Sequence, residues 1–401
     1  DHTLLQYSGS GSSNGDLAFV GFGLTIPPFD PALHPDCPFD PQTGYDDYAG
    51  VDVTGKTVVV FRHGPKGNLS IAASCPANEA AKGDGQLLYF GYKASNAKLH
   101  GARAALFVQD WSHDAAPMQG TVDAAYYDPS FPVFAVNRDK LIAAVPDMKS
   151  WVDTINSTLA PHSVVTNVKV SLSAETAIQN VQTANIVGSV QGTDPVIGSE
   201  IVVIGAHVDH LGKDPSTGEI FRGADDNASG TAVMMELARA VVLTGLKPAR
   251  TLVFAGFNAE EVGLIGSCRY VEQPPWPLSK TVAMFSIDMV GAGDGSGLVL
   301  YGAKEASMAW IGQLMSASAA ASALPFQVLP EAYVPNSDHA CFAQAGVPAV
   351  LALSAGEHAY YHTPQDTLDT ILDADLESSA RLLWATLQPL ALGTEKQLST
   401  R

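Results

Sequence analysis

Four apolar runs in the second half of the chain constrain its fold more than any other feature. The runs begin at Ile201, Thr251, Val282 and Ala349, and helical patterns separate them. Uninterrupted apolar runs are typical of strands that helices cover on both faces, as in parallel sheets. Residues after about 180 are therefore expected to form an α/β domain with a mixed, largely parallel sheet flanked by helices.

Local signals place two helices of this domain. The first is expected over about 228–243, with Ser229 as a candidate N-terminal cap and Gly245 near its end. The second is expected over about 376–392, where it would pack on the sheet. Helices between the strands are what a parallel sheet needs for its crossover connections.

The first part of the chain has a different pattern. Residues 1–16 are rich in Gly and Ser and are interpreted as a linker or tail. Short strands are predicted at 57–61, 104–108 and 132–136. A mostly β domain is therefore expected over 17–165, followed by the α/β domain over 166–401, and a length of 401 residues suits two domains.

The net charge and the length of the apolar runs argue against nucleic-acid binding and against a membrane span. The net charge of −19 argues against nucleic-acid binding, which needs a basic surface. No apolar run approaches the ~18–20 residues that span a bilayer, so no membrane span is expected.

The cysteines give an indication of the compartment. Their number is even, and no Cys-x-x-Cys motif is present. Either two disulfides in an exported protein or four buried thiols would fit this pattern. We favour the disulfides and an extracellular or periplasmic location, for which the signal peptide is not part of this chain.

Polar residues that could carry chemistry follow the predicted strands. His207 and Asp209 follow the first run, and residues two apart in an extended segment point the same way. His207 could bind a metal while Asp209 orients its ring, although such a pair also occurs in ordinary polar turns. Asp226, just before the first helix, could bridge two cations or simply cap that helix.

Four further residues complete this set. Glu260 and Glu261 follow the second run, where one could bind a metal and the other act as a general base. The alternative is an acidic helix start that the helix dipole favours. Asp288 follows the third run, and His362 precedes the last helix. Together these positions supply two His and three carboxylate ligands plus a spare Glu, which is the inventory for a pair of zinc ions.

The order of these motifs is recognisable. It reads His207-x-Asp209, Asp226-Asn227-Ala228-Ser229-Gly230, Glu260-Glu261, Asp288-Met289 and His362-Thr363-x-x-Asp366. Over about 180–392 the chain resembles the co-catalytic dizinc aminopeptidase family, which includes secreted bacterial leucine-type aminopeptidases and, more distantly, glutamate carboxypeptidase. Residues 45–50, with the segments 57–61 and 103–108, resemble a protease-associated domain, which members of this family often carry as an insertion.

The resemblance implies a set of ligands for two Zn²⁺ ions. Asp226 would bridge both ions. His207 and Asp288 would complete one site, and Glu261 and His362 would complete the other.

The same resemblance implies the other roles. Glu260 would be the general base, Asp209 would orient His207, and the peptide bond between Asp226 and Asn227 would be cis. Relatives place an oxyanion-stabilising Tyr shortly before an Asp-His pair, a role that we assign here to Tyr333. We interpret His210 and His358 as residues at the rim of the site.

The expected function is a zinc aminopeptidase that removes N-terminal residues from peptides with a free N-terminus. One alternative is a carboxypeptidase or dipeptidase of the same dizinc fold, although the glutamate-releasing relatives usually carry a further helical domain at the C-terminus. A second alternative is a non-catalytic binding ectodomain, although such relatives have lost metal ligands.

Overall fold

The chain folds into two compact units, Asp1–Asn180 (unit 1) and Val181–Arg401 (unit 2). The computed structural model describes residues 2–5, 8–67, 71–77, 87–112, 115–117, 128–177, 181–214 and 218–395. Two disulfides are present, Cys37–Cys75 in unit 1 and Cys268–Cys341 in unit 2. Within the described ranges, no helix combines the length and apolar character that crossing a membrane requires.

Unit 1 is built on a sheet of six strands with mixed directions. They are β1 His2–Leu4, β2 Gly11–Phe19, β3 Thr57–Phe61, β4 Ala104–Val108, β5 Val133–Val136 and β6 Val164–Ala174. Their order across the sheet is β1-β5-β4-β3-β2-β6. Strands β2 to β5 run parallel, whereas the two outer strands are antiparallel to their neighbours.

Helices and short elements connect these strands. They are the 3₁₀ turn Pro65–Gly67, α1 Ile71–Ser74, α2 Phe90–Leu99, α3 Arg138–Ala144, α4 Met148–Thr158 and the strand pair Thr25–Ile26 with Tyr45–Asp46. Every residue of β3 is buried because a hydrophobic core covers each face of the sheet. Alternate side chains of the strand point to opposite faces. Val58 and Val60 pack with Ala94 of α2, while Val59 packs on the other face with Val152 of α4.

The domain boundaries differ from those expected from the sequence. Residues 1–16 are not a tail, because they contain β1 and most of β2. The Gly- and Ser-rich half of β2 pairs with β6, from Gly11 opposite Ala174 to Asp16 opposite Lys169, so unit 1 also extends beyond residue 165. The helices α2 to α4 give this unit more helix than a mostly β domain.

Unit 2 is built on the predicted mixed sheet. Its strands are β7 Ile186–Val190, β8 Ile201–His207, β9 Thr251–Phe257, β10 Thr281–Ile287, β11 Gly297–Tyr301, β12 Gln327–Glu331 and β13 Ala349–Ser354. Their order is β12-β11-β13-β10-β8-β9-β7. The four central strands, β13, β10, β8 and β9, are parallel, as the apolar runs predict.

Helices cover both faces of this sheet. They are α5 Gly230–Thr244, α6 Ile265–Glu272, α7 Ala309–Ala321, α8 His339–Gln344 and α9 Asp373–Leu392, with 3₁₀ turns at Leu278–Lys280 and Leu368–Thr370 and the strand pair Gly212–Lys213 with Ile220–Phe221. Helices α5, α7 and α9 share one core with the sheet, and α6 and α8 share the other. The Cys268–Cys341 disulfide joins α6 to α8.

The start of α5 differs from its prediction. Gly245 ends the helix in a left-handed conformation, as expected, with a φ of 67°. Ser229 is not a side-chain cap, because its hydroxyl donates to the backbone oxygen of Asp225. The side-chain oxygen of Asn227 accepts from the N–H of Gly230 instead.

Candidate metal centre

The carboxyl ends of the parallel strands bring the predicted ligands together. His207 is the last residue of β8 and lies opposite Phe257, the last residue of β9. Glu260 and Glu261 follow β9, and Asp288 follows β10 directly. These side chains meet at the sheet edge where sites form in open α/β folds.

Asp226 also lies at this edge. It belongs to a short turn, Ala224–Ser229, whose backbone hydrogen bonds follow the π-helical pattern. Asn227 fixes the turn to the end of β10, because its amide nitrogen donates to Ile287 O (2.9 Å) and its oxygen accepts from Met289 N (3.2 Å). The peptide bond between Asp226 and Asn227 is cis, as the resemblance implied.

The two oxygens of Asp226 face two different groups of side chains. Oδ1 lies 3.1 Å from Nε2 of His207, which lies 3.3 Å from Oδ1 of Asp288. Oδ2 lies 3.2 Å from Nε2 of His362, which lies 3.0 Å from Oε2 of Glu261. The structure thus places the five predicted ligands in two triads that share Asp226.

The spacing of these atoms fits zinc. Two atoms that each lie about 2.0–2.1 Å from one zinc ion in tetrahedral geometry are roughly 3.3 Å apart. The four nitrogen–oxygen distances in the triads are 3.0–3.3 Å. Imidazole and carboxylate are also ligand types that zinc accepts in catalytic sites.

The electrostatics of the cluster also fit cations. Carboxylates outnumber histidines, and no Lys or Arg of the described residues forms an ion pair with the five ligands. Burial by itself lowers the pKa of His207, but the carboxylates of Asp288, Glu260 and Asp226 outweigh it and raise that pKa well above its ordinary value. Buried acids in such excess call for an added positive charge.

Asp209 holds the Glu260–Glu261 segment as well as His207. Its Oδ1 accepts from Glu260 N (3.1 Å) and its Oδ2 from Glu261 N (3.2 Å). Nδ1 of His207 lies 3.1 Å from the backbone oxygen of Asp209 and 3.9 Å from its carboxylate. The orienting contact with His207 is therefore made by the carbonyl, which is a common partner for a ligating His.

Asp366 forms an equivalent clamp on the bridging segment. The residue is almost fully buried, and its two oxygens accept from Asp225 N (2.8 Å) and Asp226 N (3.0 Å). Asp209 follows His207 by two residues, and Asp366 follows His362 by four. Each histidine segment therefore fixes the backbone of a different carboxylate ligand.

The two outer carboxylate ligands each use their second oxygen in a hydrogen bond. Oδ2 of Asp288 accepts from the hydroxyl of Ser337 (2.7 Å). Oε1 of Glu261 lies 2.6 Å from Nδ1 of His210, whose side chain is only 8% exposed. His210 is therefore partly buried and contacts a predicted ligand directly, a contact that the interpretation as a rim residue did not include.

His358 is partly buried beside the turn that carries Asp226. Its Nδ1 lies 2.6 Å from Oδ2 of Asp225, and its Nε2 lies 3.0 Å from the backbone oxygen of Ser354. Oδ1 of Asp225 accepts from Gly291 N (2.9 Å). His358 thus supports the residue next to the bridging ligand and not the ligand itself.

Glu260 lies beside the ligands. A carboxylate oxygen of Glu260 and the ligand atoms of His207 and Glu261 all lie within 4.8 Å of one another. Burial raises the pKa of Glu260 well above its ordinary value; His207 opposes this, and the carboxylates of Asp288 and Glu261 add to it. A carboxylate with a raised pKa near a metal site can accept and return a proton near neutral pH.

Two tyrosines differ in their relation to the cluster. Tyr333 packs against His339, with ring centroids 5.5 Å apart, and its hydroxyl has no hydrogen-bond partner among the described residues. Tyr361 stacks on His362 at 3.8 Å. The residue as a whole is 48% exposed, but desolvation of its phenol raises the pKa of Tyr361 well above its ordinary value, and the carboxylates of Asp226 and Glu261 add to this rise. Sequence reasoning missed Tyr361, although it directly precedes a predicted ligand.

Comparisons with known proteins agree with this geometry. The chain is 25% identical over 364 residues to the aminopeptidase YwaD of Bacillus subtilis, covering 88% of this chain and 70% of that protein. It is 29% identical over 269 residues to an aminopeptidase of Pseudomonas aeruginosa, covering 63% of this chain and 45% of that protein. The chain thus spans less than half the length of the second relative.

A solved structure shares the fold. BSAP, a zinc aminopeptidase from Bacillus subtilis, matches with a TM-score of 0.59 at 21% identity, over 99% of this chain and 80% of that one. The model of Peptidase family M28 matches residues 185–387, which is just over half of the chain and includes all five predicted ligands. This match confirms the family and the enzyme class that the motifs predicted, and the chain therefore belongs to Peptidase family M28.

Proposed function

We propose that the chain is a two-zinc aminopeptidase. The observation that carries this proposal is the pair of triads that share Asp226, because their donor spacing suits two ions and not one. His207, Asp288 and one oxygen of Asp226 would hold the first ion. His362, Glu261 and the other oxygen of Asp226 would hold the second.

When bound, the ions would supply Lewis-acid chemistry that activates a water molecule and polarises the scissile carbonyl. Glu260 takes the proton of the attacking water and returns it to the leaving amine. The Tyr361 hydroxyl donates to the carbonyl oxygen as negative charge develops on it. We keep Tyr333 as a second candidate for that donor, and its unpartnered hydroxyl is the feature that supports it.

The charge of the site favours an N-terminal substrate group. The two zinc ions would neutralise the carboxylates that bind them, so the polarity rests on another observation: no Lys or Arg of the described residues forms an ion pair with the five predicted ligands. A carboxypeptidase would instead have to bind the α-carboxylate, which needs a cationic partner such as Arg. A non-catalytic ectodomain would have no need for the complete donor set.

A paired cleavage assay tests the proposal. Zinc-loaded protein should remove residues stepwise from a Leu-initiated peptide and leave the N-acetylated peptide intact. Glu260→Gln should keep both zinc ions and lower kcat by about 10²- to 10⁴-fold, because it removes the proton acceptor but no ligand.

Each contrary result identifies the part that fails. Cleavage of both peptides, or trimming from the C-terminus, would contradict the aminopeptidase polarity but not the metal centre. Full activity of Glu260→Gln would contradict the assignment of the base.

We also propose that unit 1 is a protease-associated domain and that the protein acts in an extracellular or periplasmic compartment. The parallel core of unit 1, which contains the segments 57–61 and 103–108, supports the first proposal. The two disulfides support the second, because such bonds persist in oxidising compartments.

A further inference from the structure

We propose that His210 is a positioning residue that keeps one coordination position of the second zinc ion open. The inference rests on the proposed two-zinc centre. It starts from the division of labour at Glu261, whose Oε1 lies 2.6 Å from Nδ1 of His210 while its Oε2 lies 3.0 Å from Nε2 of His362.

The distances distinguish His210 from the ligands. Ligand pairs in both triads are separated by 3.0–3.3 Å, which suits two atoms on one ion. The 2.6 Å between His210 and Glu261 is shorter and suits a direct, charge-assisted hydrogen bond. Nδ1 of His210 is also 3.8 Å from Oδ2 of Asp226, farther than the four histidine–carboxylate distances in the triads. His210 lies within 4.8 Å of ligand atoms of Asp226 and Glu261, so its position alone would allow a ligand role, and the short contact with Glu261 is what favours a hydrogen-bond donor.

The surrounding backbone is shaped to hold this ring. Gly223 has a φ of +64°, and a Cβ at that position would lie 2.6 Å from Cγ of His210. The ring of His210 meets His362 edge-on, with centroids 5.8 Å apart. Its Nε2 is buried and has no partner among the described residues. A buried nitrogen without a partner lowers stability, so Nε2 does not hold the ring in place, and the hydrogen bond from Nδ1 to Glu261 is the polar contact that does.

The consequence concerns the coordination of the second ion. With Oε1 engaged, Glu261 offers one oxygen, so the second site has three protein ligands: His362, Glu261 and Asp226. Catalytic zinc sites use three protein ligands and keep the fourth position for water or substrate. Without His210, Glu261 would be free to turn both oxygens to the ion and fill that position.

Ser337 provides an internal comparison. It donates to Oδ2 of Asp288 (2.7 Å), as His210 does to Glu261, but it acts on the first triad. The two donors thus occupy equivalent places on opposite sides of Asp226. Ser337→Ala is therefore a matched control that should affect the other ion.

The test uses the intact protein in four forms: wild type, His210→Ala, His210→Asn and Ser337→Ala. Competition with a chromogenic chelator gives the two stepwise zinc dissociation constants of each form. His210→Ala should change one constant by up to about 10- to 100-fold, because the lost hydrogen bond outweighs the added Glu261 oxygen, and it should change the other constant by less. His210→Asn should restore most of that loss, because its amide nitrogen can replace Nδ1 as the donor. Ser337→Ala should weaken the other constant.

Cobalt-substituted protein gives a second readout. His210→Ala should raise the coordination number of one Co²⁺ ion, which lowers its visible absorption, whereas His210→Asn should not. Unchanged constants and spectra in His210→Ala would overturn the inference. Equal losses in His210→Ala and His210→Asn would also overturn it, because an amide cannot replace an imidazole ligand. If wild-type protein binds a single zinc ion, the two-zinc proposal fails, and the response of that ion to the same variants still decides the role of His210.

Discussion

The two units both bury charged groups beside parallel strands, but they satisfy those charges differently. In unit 1, Asp47 is fully buried, and its oxygens accept from Phe22 N (3.1 Å), Leu24 N (3.0 Å) and the hydroxyl of Tyr45 (2.6 Å). Burial raises the pKa of Asp47 to about 7, and these donors oppose the rise. Unit 1 thus surrounds the carboxylate with its own donors.

Lys93 shows the same arrangement with the opposite charge. It is fully buried, and its ammonium group donates to the backbone oxygens of Phe61 (2.9 Å) and His63. Burial lowers the pKa of Lys93 to about 7, while the charge of Asp47 opposes the fall. Unit 1 therefore balances a buried acid with a buried base.

The cluster in unit 2 has no such internal balance. Asp226, Asp288 and Glu261 face histidines at distances suited to ligands of a shared ion. The comparison teaches that buried charge alone does not mark a functional site. A site is indicated when the partners of the buried charges lie at coordination distances. It is also indicated when no groups of opposite charge in the chain balance them.

Removal of zinc should produce the largest difference in stability between the two units. If zinc is present at about 1,000 times its Kd, its release lowers the free energy of unfolding of unit 2 by about 4 kcal/mol per site. Hydrogen exchange on the intact protein checks this, because peptides from β8 and β10 should lose protection after chelation while peptides from β3 and β4 do not. An equal loss in both units would contradict the contrast.

Asp47→Asn should lower the stability of unit 1 and leave that of unit 2 unchanged. The amide cannot accept all the hydrogen bonds of the carboxylate, and it leaves the buried Lys93 with only the weaker influence of Asp110 as an opposite charge. We expect unit 1 to lose about 3 kcal/mol in free energy of unfolding. The same exchange experiment should show the loss in β3 and β4, with zinc content unchanged.

Asp52→Asn is the matched control for this change. The side chain of Asp52 is 79% exposed, so its variant should stay within about 0.5 kcal/mol of wild type. A similar small effect of Asp47→Asn would mean that the buried network of unit 1 contributes little to stability.

Asp366→Asn should have the smallest of the three effects, and it acts on metal binding. The amide keeps one acceptor oxygen but places an N–H donor against a backbone N–H of the Asp225–Asp226 segment. We expect zinc affinity to fall about 10- to 100-fold, as for other partners of ligands. Competition titration measures this, with Asp369→Asn as an exposed control in the same segment. Unchanged zinc affinity would restrict Asp366 to a role in the fold.

The sequence predicted the sheet of unit 2 well because its signals are local. Each apolar run becomes a buried strand, and each of His207, Glu261 and Asp288 lies within four residues of a strand end. Parallel strands in register then bring these ends together. Their order along the chain was sufficient to identify the family, whose model matches residues 185–387.

The features that were missed depend on contacts between distant residues. His210 contacts Glu261 across 51 positions, and Asp366 contacts Asp226 across 140. In unit 1, the Gly- and Ser-rich segment becomes a strand only because β6 pairs with it. The sequence next to each of these residues does not indicate which distant residue it will contact. Their roles could therefore not be predicted from the spacing of motifs along the chain.

The crossed clamps of Asp209 and Asp366 have a thermodynamic consequence. The segment of His207, a ligand of the proposed first site, holds the backbone of Glu261, a ligand of the proposed second site. The segment of His362, a ligand of the proposed second site, holds the backbone of Asp226, which would serve both. Ordering one proposed site would therefore order part of the other, so the binding of the two ions would be thermodynamically linked, and each would change the affinity for the other by the same factor.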